Sequence, residues 1–144
     1  MSPARRFEQL RVLIADDHRL FAESLRAMLC QDERIEVVGI AKTGDEAVRL
    51  ATSLLPDMVL MDFSMPGMNG LEATRRIHDL GLPCRILLLT GANGEAEEAD
   101  EALAIQAGAD GFVRKERGAD ALREVFFEVA ALTSVLAGPD RESE

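Results

Sequence analysis

Three carboxylates, a hydroxyl and an ammonium recur at one kind of place in this chain. Asp16 and Asp17 follow the apolar run RVLIA, Asp62 follows MVLM, Thr90 follows RILLL and Lys115 follows GFVR. An acidic residue after such a run is usually a turn former or a helix cap, and Asp16 or Asp17 taken alone reads that way. Asp62, behind four apolar residues, is harder to explain as punctuation. If the runs end at a common edge, the carboxylates crowd like charges, which is unfavourable unless a cation neutralises them. Magnesium, or manganese in its place, suits two or three carboxylates plus a backbone carbonyl from the loop after Asp62. A carboxylate in such a site can act as a nucleophile and form an aspartyl phosphate. That chemistry depends on positioning and charge neutralisation more than on bond-making by the protein. Lys115 would bring a second positive charge to the phosphoryl oxygens, Thr90 a hydroxyl donor, and Gly91 open space.

These side chains act together only if the elements carrying them end at one edge. Short apolar runs alternate with longer stretches of helical period. The runs predict strands at 11–15, 36–41, 58–61, 85–89 and 111–114. A first helix is expected over Arg19 to Gln31, with Leu20, Leu25, Met28 and Leu29 on its apolar stripe. The capping box Thr43–Glu46 opens a second, which runs to about Leu55 and is stopped by Pro56. Asn69, with Glu72 at the box position, caps a third that ends near Leu80. A fourth is expected from about Glu95 to Ala107, closed by Gly108. A fifth should run from about Ala119 to Leu136, with Leu122, Val125, Phe126, Val129, Leu132 and Leu136 in register. Continuous apolar strands, each followed by a helix, indicate an α/β fold: a doubly wound parallel five-stranded sheet with helices on both faces. Ligands of such sheets bind outside the carboxyl ends of the strands, where all five side chains would gather. The 144 residues favour one domain at 10–137, between a flexible arm at 1–9 and a disordered tail at 138–144.

Charge and composition exclude several function classes. A net charge of −10 opposes binding to nucleic acid or to an anionic membrane surface. No apolar run reaches the ~20 residues of a membrane span, and MSPARRFEQ lacks the pattern of a signal peptide. Cys30 and Cys84 belong to no metal or redox motif and read as reduced, largely buried thiols of a cytoplasmic protein. His18 reads as a helix-entry residue, since magnesium prefers oxygen and no second histidine is near in sequence. His78 reads as solvated. The acidic run Glu95, Glu97, Glu98, Asp100, Glu101 reads as a solvated helix start, with a docking surface for a basic partner as the alternative. Phe127 reads equally as a half-buried helix edge or a partner surface. GANG at 91–94 fits no nucleotide-cradling pattern.

Four segments, in order and correctly spaced, resemble the receiver domains of bacterial two-component response regulators: VLIADDH (12–18), PDMVLMDFSMPGMNGLEATRRI (56–77), ILLLTG (86–91) and GADGFVRK (108–115). The DDH start and the MPGMNGLEATRRI loop are most similar to the subgroup that often carries a helix-turn-helix output domain. The resemblance implies a flavodoxin-like fold with strand order 2-1-3-4-5. It implies that Asp62 is the phosphoacceptor, and that Asp16 and Asp17 organise magnesium, Asp17 directly and Asp16 more through water. The backbone carbonyl of Ser64 would complete the metal site. Thr90 would be the switch hydroxyl, Phe112 the aromatic switch residue and Lys115 the phosphate-binding lysine. The implied partners are a sensor histidine kinase or phosphotransfer protein upstream, and downstream an effector protein or an output domain that the 144 residues do not contain. Homodimerisation on phosphorylation is part of the same expectation, and the face formed by the fourth helix, fifth strand and fifth helix would change its partner preference. The chain departs from the family pattern in a Thr90–Lys115 stretch about three residues longer than usual, in Glu116 where many relatives have proline, and in Phe112, which has no hydroxyl. Two other readings remain: a magnesium-dependent phosphohydrolase, although such enzymes carry a D-x-D pair rather than Asp16-Asp17, and a receiver kept only as an interaction module.

Overall fold

Three short runs of leucine, isoleucine, valine and methionine are too apolar to leave either face in water, and they form the middle of one sheet whose two outer strands are half-buried. The structure is a computed structural model that describes residues 9–91, 97–133 and 135. Its strands are β1 (Leu10–Ala15), β2 (Ile35–Ala41), β3 (Met58–Asp62), β4 (Arg85–Thr90) and β5 (Gly111–Arg114). The helices α1 (Arg19–Leu29), α2 (Gly44–Leu54), α3 (Gly70–Asp79), α4 (Glu97–Ala107) and α5 (Gly118–Ala130) alternate with them, and a 3-10 turn at Lys115–Arg117 precedes α5. Every strand pair is parallel and the order is β2-β1-β3-β4-β5. From β1 the chain winds outward to β2 on one side, then to β3, β4 and β5 on the other. The switch point therefore falls between β1 and β3, the place where ligands of open parallel sheets bind.

Side chains alternate across each strand and build two cores. Val12 and Ile14 of β1, Met58 and Leu60 of β3, Leu87 and Leu89 of β4, and Val113 of β5 pack under α1 and α5. Leu13 and Ala15, Val59 and Met61, and Ile86 and Leu88 pack under α2, α3 and α4. Thr43 caps α2, its hydroxyl accepting Glu46 N–H at 3.0 Å, while the Glu46 carboxylate accepts Lys42 N–H at 2.8 Å. The Asn69 side-chain oxygen Oδ1 accepts Glu72 N–H at 2.8 Å and caps α3.

Leu20, the two cysteines and the end of α5 depart from expectation, whereas Phe127 and His78 keep the burial expected of them. Leu20 lies outside the buried stripe of α1 at 82 % exposure; Ala22, Leu25 and Leu29 form that stripe, and Leu20 stands two residues, or ~200°, from Ala22. Cys30 is exposed, because it follows the last turn of α1, and Cys84 is half-buried. Helix α5 stops at Ala130, where turn residues 131–133 leave Leu132 at 51 % exposure. Phe127 is half-buried, edge-on to Phe126, with the Arg34 guanidinium 5.6 Å from its ring centre. His78 is exposed and shields Gly108, where an added Cβ would come within 2.6 Å of the imidazole. Glu95, residues 92–94 of the GANG loop, Leu136, the arm before Gln9 and the tail lie outside the described residues.

Candidate functional site

Strand β1 ends at Ala15, and Asp16 turns the chain into α1: its Oδ1 accepts the His18 N–H at 2.8 Å. The turn-forming reading thus holds for one oxygen of Asp16. The other, Oδ2, lies 2.9 Å from Lys115 Nζ. The same ammonium lies 3.1 Å from Asp62 Oδ1. Asp16 and Asp62 are 1 % and 3 % exposed, so one lysine links two carboxylates removed from water. Lys115 reaches them because β5 ends beside β4, with Thr90 opposite Arg114 in register. The alternation that sends Val113 toward α1 and α5 sends Lys115 to the same side.

The electrostatics follow from that enclosure. Burial pushes the Asp62 carboxyl up to about 6, the negative charge of Asp16 adds to the rise, and Lys115 opposes it. Burial alone would lower Lys115, but its hydrogen bond to Asp16 and the charges of Asp62 and Asp16 outweigh that and raise it above the ordinary lysine value. The acceptor candidate is further fixed from behind. Gly70, the first residue of α3, lies so close to the Asp62 carbonyl that an added Cβ would stand 1.9 Å from its oxygen, and Gly70 N–H donates to Phe63 O at 2.9 Å.

In front of Asp62 opens a cleft of about 840 Å³, lined by Asp17, His18, Ser64, Gly91 and Lys115 and, from α1, by Leu20 and Phe21. Asp17, His18 and Ser64 are exposed there. The Phe21 ring centre is 4.2 Å from Lys115 Nζ. Ligand atoms of Asp16, Asp17 and His18 fall within 4.8 Å of one another. An oxygen-rich set whose two buried carboxylates share one ammonium fits a small hard cation such as magnesium. Asp16, Asp17 and Asp62 would hold it with the Ser64 carbonyl, and His18, a nitrogen donor at the entry to α1, suits that ion poorly.

Thr90 and Phe112 occupy different surroundings. Thr90 is buried at the end of β4 and does not line the cleft. Its parity is that of Ile86 and Leu88, the side of α2, α3 and α4, and half-buried Phe112 packs against the same core. Thr90 and Phe112 therefore share one layer, while the two buried carboxylates and the lysine face the other. Sequence reasoning missed Phe21 and Leu20. The available signal was proximity: a helix that starts two residues after an acid pair presents its first turn to the same edge.

Known proteins carry the same arrangement of elements. The response regulator receiver domain family matches residues 12–127. The chain is 34% identical over 130 residues to the nitrate/nitrite response regulator protein NarL of Escherichia coli (strain K12), covering 90% of this chain and 59% of that protein. It is 37% identical over 121 residues to the response regulator GacA of Pseudomonas aeruginosa, covering 81% and 55%. It thus spans less than two thirds of the length of these curated relatives. Among solved structures it superposes on the signal receiver domain of NarL from Mycobacterium tuberculosis with a TM-score of 0.70 and 38% identity, covering 75% of this chain and 85% of that one. The response regulator domain of Thermotoga maritima CheB gives a TM-score of 0.72 at 33% identity, covering 85% and 92%. With its sheet order, its helices on both faces and its acidic edge at the switch point, the chain belongs to the receiver domains of two-component response regulators.

Proposed function

We propose that residues 10–137 form a receiver that accepts a phosphoryl group on Asp62 from a phosphohistidine of a sensor histidine kinase or phosphotransfer protein. An Asp62 oxygen attacks phosphorus, the phosphorus–nitrogen bond breaks, and the imidazole leaves carrying its electron pair. Lys115 supports this reading most directly: its ammonium contacts Asp62 at 3.1 Å and Asp16 at 2.9 Å, within reach of oxygens added to Asp62. Magnesium, held by Asp16, Asp17, Asp62 and the Ser64 carbonyl, supplies charge neutralisation when bound. Gly91 leaves room at the cleft wall for the incoming group. Thr90 then turns toward the new oxygens and Phe112 follows into the space it leaves, altering the face made by α4, β5 and α5. That face would control a downstream effector or an output domain, in the manner of helix-turn-helix regulators similar to this chain, and phosphorylation would favour a homodimer.

The test is mass spectrometry after incubation with acetyl phosphate and magnesium. One labile phosphoryl group should appear on the parent and none on Asp62→Asn. Catalytic turnover of phosphate esters would favour a phosphohydrolase instead. A parent that acquires no phosphoryl group would favour an interaction module.

A further inference from the structure

Phe21 borders two spaces. It lines the acceptor cleft, and it lines a smaller groove of about 370 Å³ between α1 and α5 with Leu25, Met28, Ala119 and Leu122. Lys115 borders both as well. Its ammonium stands 4.2 Å from the Phe21 ring centre while contacting Asp16 and Asp62 on its other sides. The negative face of an aromatic ring attracts a cation at this distance, more strongly where water is excluded. The lysine side chain is only 16% exposed. A purely packing role for residue 21 would be met by any apolar side chain, and the side chain before it, Leu20, already faces solvent.

Building on the proposed phosphoacceptor reading, we infer that Phe21 is a positioning residue for Lys115: its ring face holds the ammonium over the switch point between Asp16 and Asp62. The ring closes the side on which the lysine would otherwise swing toward the α1–α5 groove. The carboxylates fix the ammonium from one direction and the ring from another, so it waits where the oxygens of a phosphoryl group on Asp62 arrive. Phe21 transfers no proton and touches no reacting atom; it acts through Lys115.

Phe21→Leu keeps apolar bulk without a ring, and Phe21→Tyr keeps the ring. In the metal-free parent, the Lys115 Hε protons should resonate upfield under the ring current. That shift should vanish in Phe21→Leu and persist in Phe21→Tyr. Phosphorylation by acetyl phosphate with magnesium should slow roughly two- to fivefold in Phe21→Leu. It should stay at the parental rate in Phe21→Tyr. In a Lys115→Met background, Phe21→Leu should change nothing further. Unshifted Hε protons in the parent, a parental rate in Phe21→Leu, or a Phe21→Tyr rate as slow as Phe21→Leu would each overturn the inference. A parent that accepts no phosphoryl group would defeat the proposed function, and the proton shifts of the metal-free protein would then decide the placement of Lys115 by themselves.

Discussion

Replacing Asp62 with asparagine should make the metal-free protein more stable at neutral pH, although it removes the acceptor. Asp62 is 3 % exposed and faces Asp16, and its carboxyl stands at about 6 against an ordinary 3.8. Below pH ~4 the folded and unfolded chains both hold the proton, and the site carries no charge penalty at this position. Between ~4 and ~6 the folded chain keeps a proton that the unfolded chain releases, so stability falls as pH rises through that window. Above ~6 the full cost of the buried charge is present. A displacement of about two pH units at 1.36 kcal/mol each is ~3 kcal/mol. Lys115 already opposes that rise, so ~3 kcal/mol is the net gain expected of the variant. Urea titrations followed by far-ultraviolet circular dichroism suit a chain without tryptophan or tyrosine. At pH 7.5 with a chelator, Asp62→Asn should unfold at higher urea than the parent. At pH 4 the two curves should converge, and magnesium at pH 7.5 should stabilise the parent more than the variant. Equal stability at pH 7.5, or a gap that does not change with pH, would refute the picture of two buried carboxylates restrained by one ammonium.

Other perturbations test the same site and its supports. Lys115→Met should destabilise the metal-free protein by roughly 3 kcal/mol at pH 7.5, because Asp16 and Asp62 lose their counter-charge, and the loss should shrink in acid as Asp62 takes up its proton; urea titrations at both pH values read it. Gly70→Ala places a methyl 1.9 Å from the Asp62 carbonyl oxygen. It should cost about 1–3 kcal/mol in the same titration and depress acetyl phosphate labelling. A thiol reagent at pH 8 should modify exposed Cys30 quickly and Cys84 only on unfolding, since burial pushes the Cys84 thiol to about 11 and leaves roughly one thiolate in a thousand.

Much of the fold is legible because its signals are local. Strands buried on both faces show as unbroken apolar runs, and Thr43 and Asn69 announce their helices through side chains that bond three residues ahead. What stayed hidden depends on small or distant groups. In α1 the buried stripe rests on Ala22, which a search for large side chains passes over in favour of Leu20. Helix α5 keeps its apolar period past Ala130, yet the backbone turns there, because periodicity reports a face and not an end. At the site, the position of each chemical group after its strand was readable, since strand ends share an edge. The bridge from Lys115 to Asp16 and Asp62 was not, because it joins residues 99 and 53 positions apart in sequence. Nor was the pairing of Lys115 with Phe21, which depends on how α1 lies across the sheet.

The alternation of side chains across the sheet has a consequence for how such a protein can diversify. Asp62 and Lys115 share the parity of the core under α1 and α5, whereas Thr90 and Phe112 belong with α2, α3 and α4. Under the proposed switch, loading would occupy one storey and the first relay the other, with the signal leaving by the edge stairwell where α4 and α5 flank β5 from opposite sides. Substitutions under α2 and α3 can then adjust the relay from a distance, whereas those in α5 touch loading and output together.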